Sequence, residues 1–238
     1  MILSRKNLLA AGTALAAASA MAPTLAAATP SPAPARTPEP SLPPLQFDQA
    51  RFAAILGQTA RHRQAFSSTK ISGGTVLDEM VSSMYAYEVD LGEGPGTMHT
   101  VAVLYHGPAI TLAFSDALWQ NYFRPAIPHV SPSLRAMLGD NDVPAGTGNP
   151  YLHRNKNAAL EDDSSVEALV ARGSHFFVCN NALQGFSYAI SHALGMQALT
   201  VYKALLGGLV DGAMAVPAGV MAVNACQEAH FTFLQATL

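Results

Sequence analysis

Cysteine is scarce in this sequence. The 238-residue chain contains only Cys179 and Cys226, and neither belongs to a C-x-x-C pair. The eight histidines are scattered without an H-x-x-x-H pair, and on an extended strand His175 lies too far from Cys179 for both to hold one ion. A G-x-S-x-G elbow, which would carry the nucleophile of an α/β-hydrolase, is also missing. We therefore predict no metal site and no hydrolase triad of that type.

Charge is sparse as well. Charged residues make up 12% of the chain, and the formal net charge is −3. A protein without a basic excess has little attraction for a phosphate backbone, so we predict no nucleic-acid partner. Half of the residues are hydrophobic, which is enough for one well-packed domain.

The N-terminal sequence is typical of an export signal. Arg5 and Lys6 precede an apolar, alanine-rich stretch, and Ala26 with Ala28 forms an A-x-A cleavage signal, so we interpret residues 1–28 as a signal peptide. The run "SRKNLL" resembles a twin-arginine signal with lysine in the second basic position. The alternative is an uncleaved membrane anchor, and contact with a membrane is predicted only in that case.

A proline-rich stretch follows the signal. Residues 29–46 alternate proline with small residues and predict an extended linker without regular structure. The globular pattern occupies residues 47–238. Export would place this domain in the periplasm, where disulfides form.

Within the domain, helical patterns alternate with short apolar runs. Five runs predict strands: "RHRQAFSS", "MHTVAVLYHG", "SHFFVC", "DGAMAVP" and "HFTFLQ". Such alternation predicts an α/β fold with a parallel sheet, because parallel neighbours need a crossover helix between them. The glycines of "LGEGPGT" come before a strand rather than after one, so they do not indicate a phosphate loop, and we predict no cofactor. Residues 124–157 form an unusually long loop, which is typical of a functional or interface element.

Cys179 ends the third predicted strand. Ligands of open parallel sheets bind beyond the carboxyl ends of the strands. Asn180 and Asn181 lead into a helix, with Asn181 as its expected N-cap, so the thiol would lie at the positive end of a helix dipole, which favours thiolate. The alternative, an inert cysteine in the core, stays open at this point.

A disulfide between the two cysteines is not expected. Cys226 lies near the far end of the helix that begins after Pro217, about 12 Å along its axis from the end near Cys179. A disulfide requires Cα atoms within about 7 Å of each other.

Several stretches occur in a characteristic order: "HRQAF", "VAVLYHGPAI", "SDALWQNYF", "GTGNPY", "GSHFFVCNNAL" and the C-terminal "TVYKALLGGLVDGAMAVPAGVMAVNACQEAHFTF". Together they resemble the DsrE/DsrF-like family, and in particular its exported branch with twin-arginine signals. The resemblance covers most of the chain from about residue 60. It implies a flavodoxin-like, five-stranded parallel sheet of order 2-1-3-4-5 with helices on both faces, assembly into trimers or hexamers, and relay of sulfur as cysteine persulfide.

The resemblance also implies site residues. Cys179 lies at the position of the family's sulfur-accepting cysteine, His106 with Gly107 matches a strand-ending H-G, and Pro217 with Gly219 matches a P-x-G before the last helix. The family's glycine before the last strand is missing here, where the chain reads "EAH", and the cytoplasmic sulfur relay would not be met after export.

The implied strand order has a geometric consequence. It places the topological switch point, where the strand order reverses, between the strand ending near Ser67 and the strand ending at Cys179. The strand of His106 would then be two positions from that of Cys179, roughly 10 Å away. His106 is a candidate base or cation for the thiol at that separation. Trp119 is expected mainly to pack an amphipathic helix, and the long loop is a candidate cover for the edge.

Two functions remain. The first is thiol or sulfur-transfer chemistry at Cys179 with His106, while Asn180, Asn181 and the amides near Gly219 hold a small sulfur-containing or anionic ligand. The second is a non-catalytic periplasmic module that binds a small ligand or a protein and forms homo-oligomers. The sequence does not decide whether the protein is an enzyme.

Overall fold

A five-stranded, all-parallel sheet with helices on both faces forms the domain. The computed structural model describes residues 41–130, 146 and 148–236. The predicted fold class, a flavodoxin-like α/β sheet, is confirmed, and all five predicted strands are present. The elements are α1 (Gln49–Leu56), β1 (His62–Ser68), α2 (Thr75–Tyr85), β2 (Met98–Leu104), α3 (116–126), α4 (Val166–Ala171), β3 (His175–Cys179), α5 (Asn180–Leu194), α6 (Ala198–Gly207), β4 (Ala213–Val216), α7 (Gly219–Glu228) and β5 (Thr232–Gln235).

The expected strand order is wrong. The strands lie in the order β4-β3-β2-β1-β5 rather than 2-1-3-4-5. Strands β1 to β4 are added one after another in the same direction, and β5 returns to pair with β1 at the opposite edge. As a result β2 and β3 are direct neighbours, with Leu104 opposite Val178.

Two apolar layers cover the sheet. One layer contains residues of α2, α3, α5 and α6 together with Phe66, Leu104 and Val178 of the sheet. The other contains residues of α1 and α7 together with Val103 and Phe177. The alternation of side chains along each strand separates the two sets.

This arrangement fixes the switch point. Helix α5, which follows β3, packs in the first layer, whereas α7, which follows β4, packs in the second and contacts β1, β2 and β3. The helices after two adjacent strands therefore leave on opposite faces, and the switch point lies between β3 and β4. The predicted location between β1 and β3 is wrong, because these strands are not neighbours.

Local hydrogen bonds set where α4 and α3 begin. Ser165, and not the preceding Asp163 or Ser164, caps α4 by accepting a hydrogen bond from the amide of Ala168. The carboxylate of Asp163 instead accepts hydrogen bonds from the amides of Ser165 and Asn155. Phe114 forms an isolated β-bridge with Leu209, and α3 begins directly after it, with Ser115 as its N-cap.

The aromatic core around α3 confirms the packing role of the single tryptophan. Trp119 is fully buried, and its indole N–H donates a 2.7 Å hydrogen bond to the carbonyl oxygen of Thr111. It therefore does not cover the edge of the sheet.

The predicted signal peptide, 1–28, lies outside the described residues, as do residues 29–40 of the predicted linker and residues 131–145 and 147 of the loop 124–157. In the part of the chain that is described, no helix is both long and apolar enough to cross a bilayer.

Candidate functional site

A pocket of about 350 Å³ opens at the carboxyl ends of β2 and β3. It brings together five of the predicted site residues, namely Cys179, His106, Gly107, Asn181 and Gly219. The pocket lies beside the switch point, where open α/β sheets bind ligands. Five of the seven site residues predicted from the sequence therefore lie around one pocket, although the expected strand order was wrong.

Cys179 lies at the inner wall of this pocket. Its side chain is 6% exposed, and it is the N-cap residue of the 15-residue helix α5. The expected N-cap, Asn181, is wrong, because the N-cap lies two residues earlier, directly at the strand end. Among the described residues, no side chain caps the first amides of α5. The thiol therefore lies next to N–H groups and at the positive end of a helix dipole.

A second helix start approaches the same thiol. Helix α7 begins at Gly219, and within the described ranges no side chain caps it either. A Cβ atom at Gly219 would lie 3.4 Å from the Cβ of Cys179 and would overlap the Cβ of Tyr105. Only glycine allows the start of α7 to pack so closely against the ends of β2 and β3. Two uncapped helix N-termini at one pocket favour an anionic group.

His106 is closer to Cys179 than the sequence suggested. The predicted separation of two strands is wrong, because β2 and β3 are adjacent and Tyr105 follows the pair Leu104–Val178. His106 is exposed and has a left-handed backbone with φ 63°. A residue with a side chain is strained in this conformation, and backbone strain of this kind is concentrated at functional sites.

Asn180 does not belong to the lining of the pocket. Its side chain is buried, and its amide oxygen accepts a 2.7 Å hydrogen bond from the hydroxyl of Tyr202 on α6. The predicted role in ligand binding is therefore replaced in the structure by a contact that fixes the start of α5. Asn181, one residue later, is exposed and lines the pocket.

Pro217 is exposed and is not part of the pocket lining, although it ends β4 two residues before Gly219. Gly107 does line the pocket, and a Cβ at that position would lie 3.0 Å from the ring of Phe186. In the P-x-G and H-G motifs, Gly219 and Gly107 thus allow neighbouring groups to pack closely. Pro217 follows the last residue of β4.

The pocket also has an apolar part that was not among the predicted site residues. Tyr105, Ala182, Phe186, Ala189 and Val220 also line the pocket. Tyr105 was recognisable from its place directly before the H-G motif, and Ala182, Phe186 and Ala189 from their spacing of three to four residues along one helix face after Cys179. They give the pocket a largely apolar wall next to its polar entrance.

The second cysteine lies in a different environment. Cys226 is fully buried in the layer of α7, and burial raises the pKa of its thiol to about 12. Both cysteines are free thiols, as the helix geometry predicted. Cys226 is therefore an inert thiol within the same chain.

Two histidine clusters lie outside the pocket. His99 is buried at the amino end of β2, and its Nε2 lies 3.2 Å from the carbonyl oxygen of Ile55 in α1. Burial, together with the charge of His175, lowers the pKa of His99 to about 4. The environment of this cluster contains Arg63 and Arg51 and makes His99 a neutral donor near pH 7.

His153 has the opposite electrostatic environment. Its Nε2 lies 2.6 Å from the carboxylate of Asp116 and its Nδ1 lies 3.0 Å from the carboxylate of Glu167. Hydrogen bonds to these two carboxylates raise the pKa of His153. A ring with a proton on each nitrogen donates to both carboxylates and in that form links α3 to α4. Among the described residues, no group of three or more His, Cys, Asp or Glu side chains has the geometry of a metal site.

Comparison with known proteins adds little. No protein-family model and no curated protein matches the chain. A solved structure of a protein of unknown function from Methanobacterium thermoautotrophicum is 17% identical and covers 73% of this chain and 98% of its own, with a TM-score of 0.34. Similarity at this TM-score supports no conclusion about fold or function. The fold class is taken from the sheet of this chain.

Proposed function

We propose that this protein performs thiol or sulfur-transfer chemistry at Cys179, as an exported member of the DsrE-like proteins. One observation carries the proposal: Cys179 shares a pocket with His106 at the point where two uncapped helix N-termini meet. A structural cysteine needs none of these neighbours. A cysteine that must exist as thiolate benefits from all of them.

The pocket offers separate places for the charge and the body of a ligand. The amides at the starts of α5 and α7 favour a negatively charged sulfur or a carboxylate. Phe186 and Val220 provide apolar surface for the remainder of the molecule. The ligand class that fits is a small organic anion with a reactive sulfur.

A balanced transfer step requires no outside oxidant. The Sγ of Cys179 attacks the outer sulfur of a donor persulfide, R–S–SH. The S–S bond of the donor breaks, a new S–S bond forms on Cys179, and R–S⁻ leaves. The proton that Cys179 releases is returned to this leaving thiolate, and His106 is the residue in the pocket that can carry it.

Alkylation tests the reactivity of the thiol. We expect iodoacetamide to modify Cys179 at pH 6 much faster than it modifies a free thiol, because helix N-termini favour the thiolate. Cys226 serves as an internal control, since its burial and raised pKa should keep it unmodified in the folded protein. Alkylation of Cys179 that is slow at pH 6 and rises only near pH 8.5 would contradict the proposal.

Mass spectrometry tests the transfer itself. After incubation with an organic persulfide, the wild-type chain and Cys226→Ser should gain about 32 Da, the mass of one sulfur atom, on the peptide containing Cys179. Cys179→Ser should gain nothing. Unmodified peptide in every variant would exclude a persulfide on this residue.

A second function is favoured by the burial of Cys179. With its side chain 6% exposed and the pocket wall largely apolar, the same pocket suits a non-catalytic module that binds a small organic ligand. In that case Cys179→Ser should retain ligand affinity and biological phenotype, whereas Phe186→Ala should weaken both. Loss of the phenotype in a folded Cys179→Ser variant would exclude it.

Export also remains part of the proposal. It is supported by the cationic start, the apolar stretch and the A-x-A sequence of residues 1–28. Cell fractionation followed by N-terminal sequencing should find the chain in the periplasm, beginning near residue 29. An intact N-terminus in the cytoplasmic fraction would contradict it.

A further inference from the structure

Strand β5 lies at the edge of the sheet. Among the described strands it pairs with β1 alone, and all four of its residues, Thr232–Gln235, are exposed. Phe233 and Leu234 each expose 39% of their surface. Natural edge strands are usually protected by charged residues, proline or a covering element, and β5 itself contains no charged residue and no proline.

The backbone of Phe233 points away from the sheet. The amide of Ala236 donates to the carbonyl oxygen of Ser67 in β1, so the even-numbered residues along this stretch direct their backbone groups toward β1. In a parallel pair the N–H and C=O of one residue point to the same side, and successive residues alternate. The N–H and C=O of Phe233 are therefore directed outward.

The two exposed side chains lie on opposite faces. Phe233 is in register with Ala65, which belongs to the layer of α1 and α7, and Leu234 is in register with Phe66, which belongs to the layer of α2. A partner that pairs with the edge of β5 thus meets an apolar side chain on each face of the extended sheet.

We propose that β5 pairs antiparallel with β5 of a second copy of this chain, with Phe233 opposite Phe233 of the other copy. A two-fold axis perpendicular to the sheet places the side chain of a given residue on the same face of the sheet in both copies. Residues directly opposite each other in an antiparallel pair also have their side chains on one face. The axis must therefore pass through a residue position. Phe233 fits, because its outward N–H and C=O can be exchanged with those of its symmetry mate.

The charge pattern supports a second copy rather than a different protein. Because β5 carries no charge, self-pairing brings no like charges together, and the edge offers no charged group by which another partner would be selected. Pairing of the two phenylalanines adds an aromatic contact on one face, and Leu234 meets Thr232 of the other copy on the opposite face. The product is a continuous ten-stranded sheet.

A charge-complementation experiment tests this register. The full chain carrying Phe233→Lys or Phe233→Glu should show half the wild-type mass by light scattering, because each variant places like charges opposite each other. An equimolar mixture of the two variants should recover the wild-type mass, because lysine then faces glutamate. Circular dichroism should show that both variants fold, since the side chain is exposed.

Two controls make the result specific. Val220→Lys, at a residue with 66% exposure on α7, should leave the mass unchanged. Leu234→Lys mixed with Leu234→Glu should show no complementation, because residue 234 does not face itself in this register. A wild-type monomer or an odd-numbered oligomer would overturn the proposal. So would an unchanged mass of Phe233→Lys, or complementation at position 234 instead of 233.

Discussion

The hydroxyl of Tyr202 donates a 2.7 Å hydrogen bond to the amide oxygen of Asn180, directly after the candidate reactive residue Cys179. Both partners are buried, so the bond connects α6 to the first residue of α5 and holds the start of that helix beside the pocket. Asn180 therefore holds the start of α5 in place, whereas the adjacent Asn181 lines the pocket.

Removal of this hydroxyl should lower stability. Tyr202→Phe leaves the oxygen of Asn180 buried without its donor, which should lower the free energy of unfolding by about 1–3 kcal/mol in urea titrations. It should also change the alkylation rate of Cys179, because the helix start is held less firmly. Tyr122→Phe is a matched control, since the described residues form no hydrogen bond with its hydroxyl. Equal stability of the two variants would show that the bond contributes nothing.

The left-handed backbone of His106 predicts a difference between two small substitutions. Glycine adopts φ 63° without strain, whereas alanine does not, so His106→Gly should be more stable than His106→Ala by about 1 kcal/mol. Both should reduce persulfide transfer to Cys179 if the imidazole carries the proton. Chemical denaturation and the transfer assay separate the two effects. A more stable alanine variant would argue against the left-handed conformation.

Gly219→Ala should disturb the pocket. The added methyl group would overlap the Cβ of Tyr105, so the start of α7 must move away from Cys179. We expect slower alkylation of Cys179 at pH 6 and a loss of about 1–3 kcal/mol in the free energy of unfolding. Gly185→Ala is the control, because a Cβ there meets no atom within 4 Å although the residue lines the same pocket. Similar behaviour of both variants would contradict the close approach.

Acid should destabilise the protein through His99. Its pKa is lowered from 6.5 to about 4 in the folded state, so the unfolded chain binds the additional proton first. The free energy of unfolding should fall as the pH drops from about 6.5 to 4, by about 3 kcal/mol in total. His99→Gln should flatten this dependence, whereas the exposed His129→Gln should not. A wild-type profile that is flat over this range would show that His99 is not buried as a neutral ring.

His153 should act in the opposite direction. Its pKa is raised in the folded state by hydrogen bonds to Asp116 and Glu167, so its contribution is fully present below pH 6.5. That contribution should disappear as the pH rises through the raised pKa. The difference in unfolding free energy between the wild type and His153→Gln should therefore shrink from pH 6 to pH 9. A constant difference would mean that His153 stabilises the link without its proton.

The sequence determined which segments form strands and which residues end them. The apolar run before His106 and the run before Cys179 are short and bounded by turn residues, so their length and pattern alone predicted buried parallel strands. The position of Cys179 at a strand end follows from the same local signals, whereas the close approach of Gly219 to Tyr105 and Cys179 depends on packing between elements. Local chemistry also predicted that Trp119 packs in the core.

Tertiary structure decided what the local signals could not. Strand order depends on which faces the crossover helices cover, and only the packed sheet shows that β2 lies next to β3 and brings His106 near Cys179. The roles of Asn180 and Asn181 are set by Tyr202, which lies 22 residues beyond Asn180 in the sequence and reaches it only after α6 has packed on α5. The sequence thus identified Cys179 as the candidate reactive residue, and long-range packing determined which residues surround it.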